Sequence, residues 1–210
     1  MMKKSSILMR GFVCAAAGVF LFVLMSGCST LGIGVSGAPA LKGVFMDGPV
    51  GGLSYSTPTL KGVTKADGIF EYQAGETVTF SLGGLVLGSA PGKPVITPVD
   101  IVKDAKGASD QRVVNICVLL QTLDQDGNAA NGIMISEKAA AFVGQYGKSI
   151  NFDKPVRAFS FDGGLRAVMS ELNNIDFFGD VPRAVKPPKV AQKHLEDSLA
   201  ELQKKVAPAK

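Results

Sequence analysis

Residues Thr77 to Gly88 read TVTFSLGGLVLG, and this stretch decides the fold. Val78, Phe80 and Leu82 alternate with Thr77, Thr79 and Ser81, the period of a strand with one buried face. Gly83-Gly84 is the signal of a two-residue hairpin loop, and Leu85-Val86-Leu87-Gly88 returns as the partner strand.

Outward from this hairpin, the chain from Leu41 to Val102 reads as β structure. Strands are expected at Lys42–Met46, Gly52–Ser56, Lys61–Thr64 and Ile69–Gln73, besides the two in the hairpin. Asp47-Gly48-Pro49 and Ala66-Asp67-Gly68 punctuate them as turns. From Asp110 the period changes. Val113, Ile116, Cys117, Leu120 and Leu123 recur at helical spacing, with Ser109-Asp110 as a start signal. Glu137 to Tyr146 predicts a second helix stopped by Gly147, and Leu165 to Leu172 a third ended by Asn173-Asn174. Lys189 to Val206 is the clearest, with the apolar stripe Ala191, Leu195, Leu199, Leu202, Val206 and a Glu201/Lys205 pair. A β unit of about 60 residues buries too little apolar surface to stand alone, and each amphipathic helix needs a face to cover. The expected fold class is therefore α+β: a small antiparallel, sandwich-like N-terminal part (41–102) with the helices of 103–206 packed on it as one body, and a frayed tail at 207–210.

The N-terminus reads differently. Lys3, Lys4 and Arg10 precede a charge-free run from Gly11 to Met25, too short to span a bilayer and of the length of a signal-peptide core. Small residues Ser26-Gly27 and then Cys28 follow. Residues 1–27 are read as a cleaved leader, and the stretch that follows to residue 40, charge-free and rich in Gly, Ser and Ala, as a flexible tether. Gly32-x-Gly34-x-x-Gly37 in that tether matches a dinucleotide fingerprint, but no strand precedes it and no helix follows. With the leader removed, 19 of the 22 basic residues remain against 18 acidic ones. That near-neutral balance gives no field to steer nucleic acid, which is excluded as a partner. Cys117 reads as a buried and inert thiol on its helical face.

Met25-Ser26-Gly27-Cys28 resembles the lipobox of bacterial lipoproteins, with Met where Leu is usual; the resemblance implies a cut before Cys28 and its acylation, which makes 28–40 lipid anchor and flexible tether and leaves Cys117 unpaired. Ser29 in place of Asp implies an outer-membrane location. Gly43-Val44-Phe45, Asp47, Val50, Gly52, Tyr55, Thr64 to Tyr72 and Gly75 to Phe80 resemble the carboxypeptidase-regulatory-like, prealbumin-type β-sandwich, a usually non-catalytic module of secreted and surface-anchored proteins. Lys65 stands where that turn often has an acid. Thr97-Pro98-Val99-Asp100, the Asn115-to-Leu123 helix and the Asp-x-Asp-Gly-Asn loop are also similar to a loose group of proteobacterial lipoproteins of unknown function, which implies location and architecture and no reaction.

One segment carries candidate chemistry. In Asp124-Gln125-Asp126-Gly127-Asn128-Ala129-Ala130-Asn131, the oxygens of Asp124, Asp126, Asn128 and Asn131 are candidate calcium ligands, because a hard cation takes six to eight oxygens and Gly127 allows the turn. It is not an EF-hand: Ala129 and Ile135 stand where that loop wants Gly and Glu. It resembles the Asp-x-Asp-Gly loops of calcium-binding repeats, in a single copy. The other reading is a turn, since Asp, Asn and Gly also end helices. Two acids at a helix C-terminus oppose the macrodipole, so a cation, Lys138 or Arg112 is expected to compensate them. The single histidine, His194, flanks the last helix's stripe and reads as a partly exposed helix-face residue.

Three functions follow as expectations. The first is a lipid-anchored envelope protein, structural or interacting, non-enzymatic, with the membrane and an envelope protein as partners. The second is a calcium-dependent adhesin or matrix-binding module. The third is a metal-dependent envelope hydrolase using the aspartate pair.

Overall fold

Residues 39–206 are described in a computed structural model. The leader, Cys28, the tether up to residue 38 and the tail 207–210 lie outside the described residues. The TVTFSLGGLVLG stretch forms the hairpin β6 (Thr77–Leu82) and β7 (Leu85–Pro91), with Leu82 opposite Leu85 and a bulge between Phe80 and Ser81. Gly83 and Gly84 both take positive φ, +55° and +86°. β3 (Ser54–Ser56) pairs with β6 and β4 (Lys61–Val63) pairs with β3, completing an antiparallel sheet in the order β4-β3-β6-β7. A second sheet places β1 (Leu41–Phe45) between β5 (Ile69–Tyr72), antiparallel, and β8 (Val95–Ile96), parallel.

The two sheets meet through aromatic side chains. Phe80 of the first lies 4.6 Å from Phe45 and 5.1 Å from Phe70 of the second, centroid to centroid, and all three are fully buried. Such tilted and edge-on contacts add to the area the rings bury. The fold is α+β, with a sandwich-like core of strands followed by helices.

β2 (Val50–Gly51) pairs in parallel with β9 (Ile133–Met134), bringing the start of the β part against the loop region after the main helix. That helix, α2 (Gln111–Leu123), starts on Asp110, whose Oδ1 accepts from the Arg112 N–H at 3.0 Å. Every residue from Val113 to Leu123 is buried. α2 is thus a central helix, enclosed on all sides rather than laid with one stripe on a surface. Two of its polar side chains bond to backbone: Asn115 donates to the carbonyls of Phe152 and Lys154, and the Thr122 hydroxyl to Val118.

Around α2 stand α1 (Pro98–Ile101), α4 (Val156–Phe159) and α6 (Pro188–Val206). α3 (Glu137–Tyr146) and α5 (Gly163–Asn174) pack together. α3 also seats on the hairpin turn: a Cβ on Gly83 would fall 2.0 Å from the Ala140 carbonyl oxygen, so only glycine lets these backbones approach. Phe80 and Leu120 belong to one contiguous buried cluster that runs from the sheets into the helices. The described residues form one compact unit. On α6 the i, i+4 ion pair is Lys193 with Asp197.

Candidate functional site

The acidic loop begins where α2 ends. Asp124 is the C-cap, and its side chain turns inward: it is 1% exposed, and Oδ1 accepts from the Met134 N–H at 2.9 Å. Its Oδ2 is buried and has no hydrogen-bond partner. Gly127, at φ +75°, turns the chain, and a single 3₁₀ turn, Ala129–Asn131, leads into β9. Asp126 is exposed and organises that turn, Oδ1 accepting from the Asn128 N–H and Oδ2 from Asn131 Nδ2, both at 2.8 Å. Asp124, Asp126 and Asn131 come together on the wall of a cleft of about 320 Å³, with Ala66, Gln125 and Met134 among its other walls. Asn128 is not among the lining residues and contributes its backbone N–H to Asp126. Among the described residues no three His, Cys, Asp or Glu side chains converge, so a cation here would draw on an amide oxygen besides the two carboxylates.

The electrostatics of the two acids differ. Burial pushes the Asp124 carboxyl above its ordinary value, the Met134 N–H opposes this, and Asp126 beside it adds to the rise. Asp126, in water, is held below its ordinary value by the Asn131 amide and the Asn128 N–H. The compensating bases are neither of those expected. Arg112 pairs with Asp153 at 2.8 Å, and the Lys138 ammonium lies 6.0 Å from the Phe177 ring centroid. Arg183 takes that place, donating to the carbonyls of Asp124 and Gln125 while stacking 4.0 Å over Phe178. Lys186 donates to the Gly127 carbonyl at 3.1 Å. Both bind backbone carbonyls, and neither lines the cleft.

A second polar cluster lies inside the body. Asp47, in the turn between β1 and β2, is fully buried. Its Oδ2 accepts from Gln121 Nε2 at 3.0 Å, and its Oδ1 has no hydrogen-bond partner. The same Gln121 amide also donates to the Ala191 carbonyl of α6. His194 Nε2 lies 2.8 Å from the Asp47 carbonyl oxygen, to which it donates, and 3.9 Å from Oδ1. The neighbouring Gly48 N–H donates to the Ser198 hydroxyl at 2.9 Å. Burial raises the Asp47 carboxyl to about 6, against lowering contributions from Gln121, His194 and Cys117. The Cys117 thiol is fully buried, and burial together with the Asp47 charge pushes it well above its ordinary value, as an inert thiol requires. His194 is therefore more than a helix-face residue: it fastens α6 to the β1–β2 turn.

No family model matches this chain, and neither curated proteins nor solved structures match it. The likeness to lipoproteins and to the prealbumin-type sandwich rests on the residues quoted above.

Proposed function

We propose that this chain is a lipid-anchored cell-envelope protein of the outer membrane that works as a structural or interaction module. The apolar run closed by Ser26-Gly27-Cys28, with a charge-free stretch to β1 at Leu41, supports the anchor. One observation supports a binding rather than a catalytic role. The chain's single histidine spends its Nε2 on the backbone carbonyl of Asp47, and Cys117 beside that aspartate is sealed in the core. The histidine is thus occupied in fastening α6, and the thiol lies out of a substrate's reach.

The anchor is tested by feeding cells an alkyne-tagged fatty acid and fractionating them. Wild-type protein is expected to carry the tag and sediment with membranes, and Cys28→Ala to lose both properties. A Cys28→Ala protein that still sediments with membranes at wild-type size and level overturns the proposal.

A further inference from the structure

We infer that the cleft beside the 124–131 loop is a weak calcium site, with Asp124 Oδ2, a carboxylate oxygen of Asp126 and the side-chain oxygen of Asn131 as its protein ligands. This goes beyond lipid anchoring and does not depend on it.

The buried oxygen carries the inference. A carboxylate taken out of water needs a donor or a cation on each oxygen. Asp124 is 1% exposed, the Met134 N–H serves Oδ1, and nothing serves Oδ2. The residue therefore sits in the wall of an open cleft with an unused lone pair. The second carboxylate in the same wall makes the position worse for two anions and better for a cation between them. Arg183 and Lys186 neutralise the loop through its backbone carbonyls and stay out of the cleft lining, so neither base takes up Asp124 Oδ2. Asn131 now gives Nδ2 to Asp126; a half-turn of its amide presents the oxygen instead.

The donor set selects the ion. All three ligands are hard oxygens, as calcium takes them, and there is no nitrogen or sulfur among them to favour zinc. Three protein oxygens leave half or more of the coordination shell to water, and the cleft of about 320 Å³ has room for it. So few protein ligands put the affinity in the class of extracellular calcium modules, about 10⁻⁴–10⁻³ M. Magnesium, which dehydrates reluctantly and demands strict octahedral geometry, is the poorer fit.

The experiment is a melting titration of the full-length protein in detergent, stripped with chelator and then given CaCl₂ or MgCl₂ at constant ionic strength. At tenfold excess over Kd, calcium is expected to raise Tm by about 3–6 °C. Asp124→Asn and Asp126→Asn should each remove that shift. Asp124 is buried, so Asp126→Asn combined with Asn131→Ala, both exposed, gives the same reading should Asp124→Asn fail to fold. A flat titration to about 10 mM calcium, an equal rise with magnesium, or a calcium shift that survives the exposed double change overturns the inference.

Discussion

Asp47, in the turn after β1, and Asp124, at the C-terminal end of α2, are both buried carboxylates with one oxygen hydrogen-bonded and the other without a hydrogen-bond partner. They differ in what can reach the free oxygen. Above Asp47 lie α6 and His194, and beside it are the Gln121 amide and the Cys117 thiol, so the site is closed to everything but a proton. Asp124, though buried, belongs to the wall of a cleft that a second carboxylate shares. A carboxylate in the same chemical difficulty is thus a titrating core group in one place and, in the calcium site proposed above, a ligand in the other; the element packed over it is what differs.

Removing the lid should have the largest effect. Ala191 and Leu195 of α6 are fully buried and hold the helix over Asp47. Leu195→Ala is expected to cost about 2–5 kcal/mol in urea unfolding at pH 5. It should also admit water to Asp47 and flatten the pH dependence of stability described next. A loss under about 1 kcal/mol would mean that α6 does not seal the site, and the contrast with Asp124 would collapse.

The second prediction removes the charge and keeps the shape. The Asp47 carboxyl titrates at about 6 in the fold against an ordinary value of 3.8. Between those values the native state holds a proton that the unfolded chain has lost, so stability falls as pH rises from about 4 to about 6. The full difference is about 3 kcal/mol. Asp162 and Asp126 are held below their ordinary values and act oppositely, losing stability as pH falls below about 4. The difference between wild type and Asp47→Asn isolates the Asp47 contribution. The variant should be more stable by about 2–3 kcal/mol at pH 7.5 and nearly equal at pH 4. Equal stability at both pH values would show that Asp47 is not sealed.

The two regions were unequally legible in the sequence. The acidic loop is local: Asp124, Asp126, Asn128 and Asn131 lie within eight residues, and their spacing alone marks a loop of oxygens. The hairpin, α3, α6 and the Asp110 cap are also local and appear nearly where periodicity and turn chemistry put them. The Asp47 cluster is not. Its partners Gln121 and His194 are 74 and 147 positions away, so Asp47 reads as a turn residue and His194 as a helix-face residue. β2, β8 and β9 have two residues each, too few to show a period of two, and exist because their partners are brought to them. α2 looked one-sided because only the regular part of its apolar pattern stands out, while Val114, Val118 and Leu119 on its other faces are buried as well. Arg183 was invisible for a similar reason. Asn173, which reads as a helix end, grips the Arg183 backbone through both its N–H and its carbonyl and so aims the guanidinium at a loop 59 residues earlier.

That grip gives the smallest prediction and the one that most sharpens the contrast. Arg183 donates to the two carbonyls at the C-terminal end of α2, where the helix dipole is negative, and stacks on Phe178. Arg183→Met keeps an apolar chain over the ring and removes the charge and the donors. The guanidinium is partly in water, so the loss should be modest, about 1–2 kcal/mol at low salt and less at 0.5 M salt. The change also removes a positive charge that neighbours both Asp124 and Asp126. If the cleft holds calcium, the two acids of the variant lack their resident base and should bind the ion more tightly, so the Tm rise with calcium becomes larger than in wild type. If the loop is only a turn, the variant melts lower and calcium changes nothing in either protein. Asp47 supplies the control: its stability difference between pH 4 and pH 7.5 should be the same with and without Arg183, because the groups that act on its carboxyl are Gln121, His194 and Cys117. A calcium response unchanged by Arg183→Met would show that the guanidinium does not share the field of the two carboxylates.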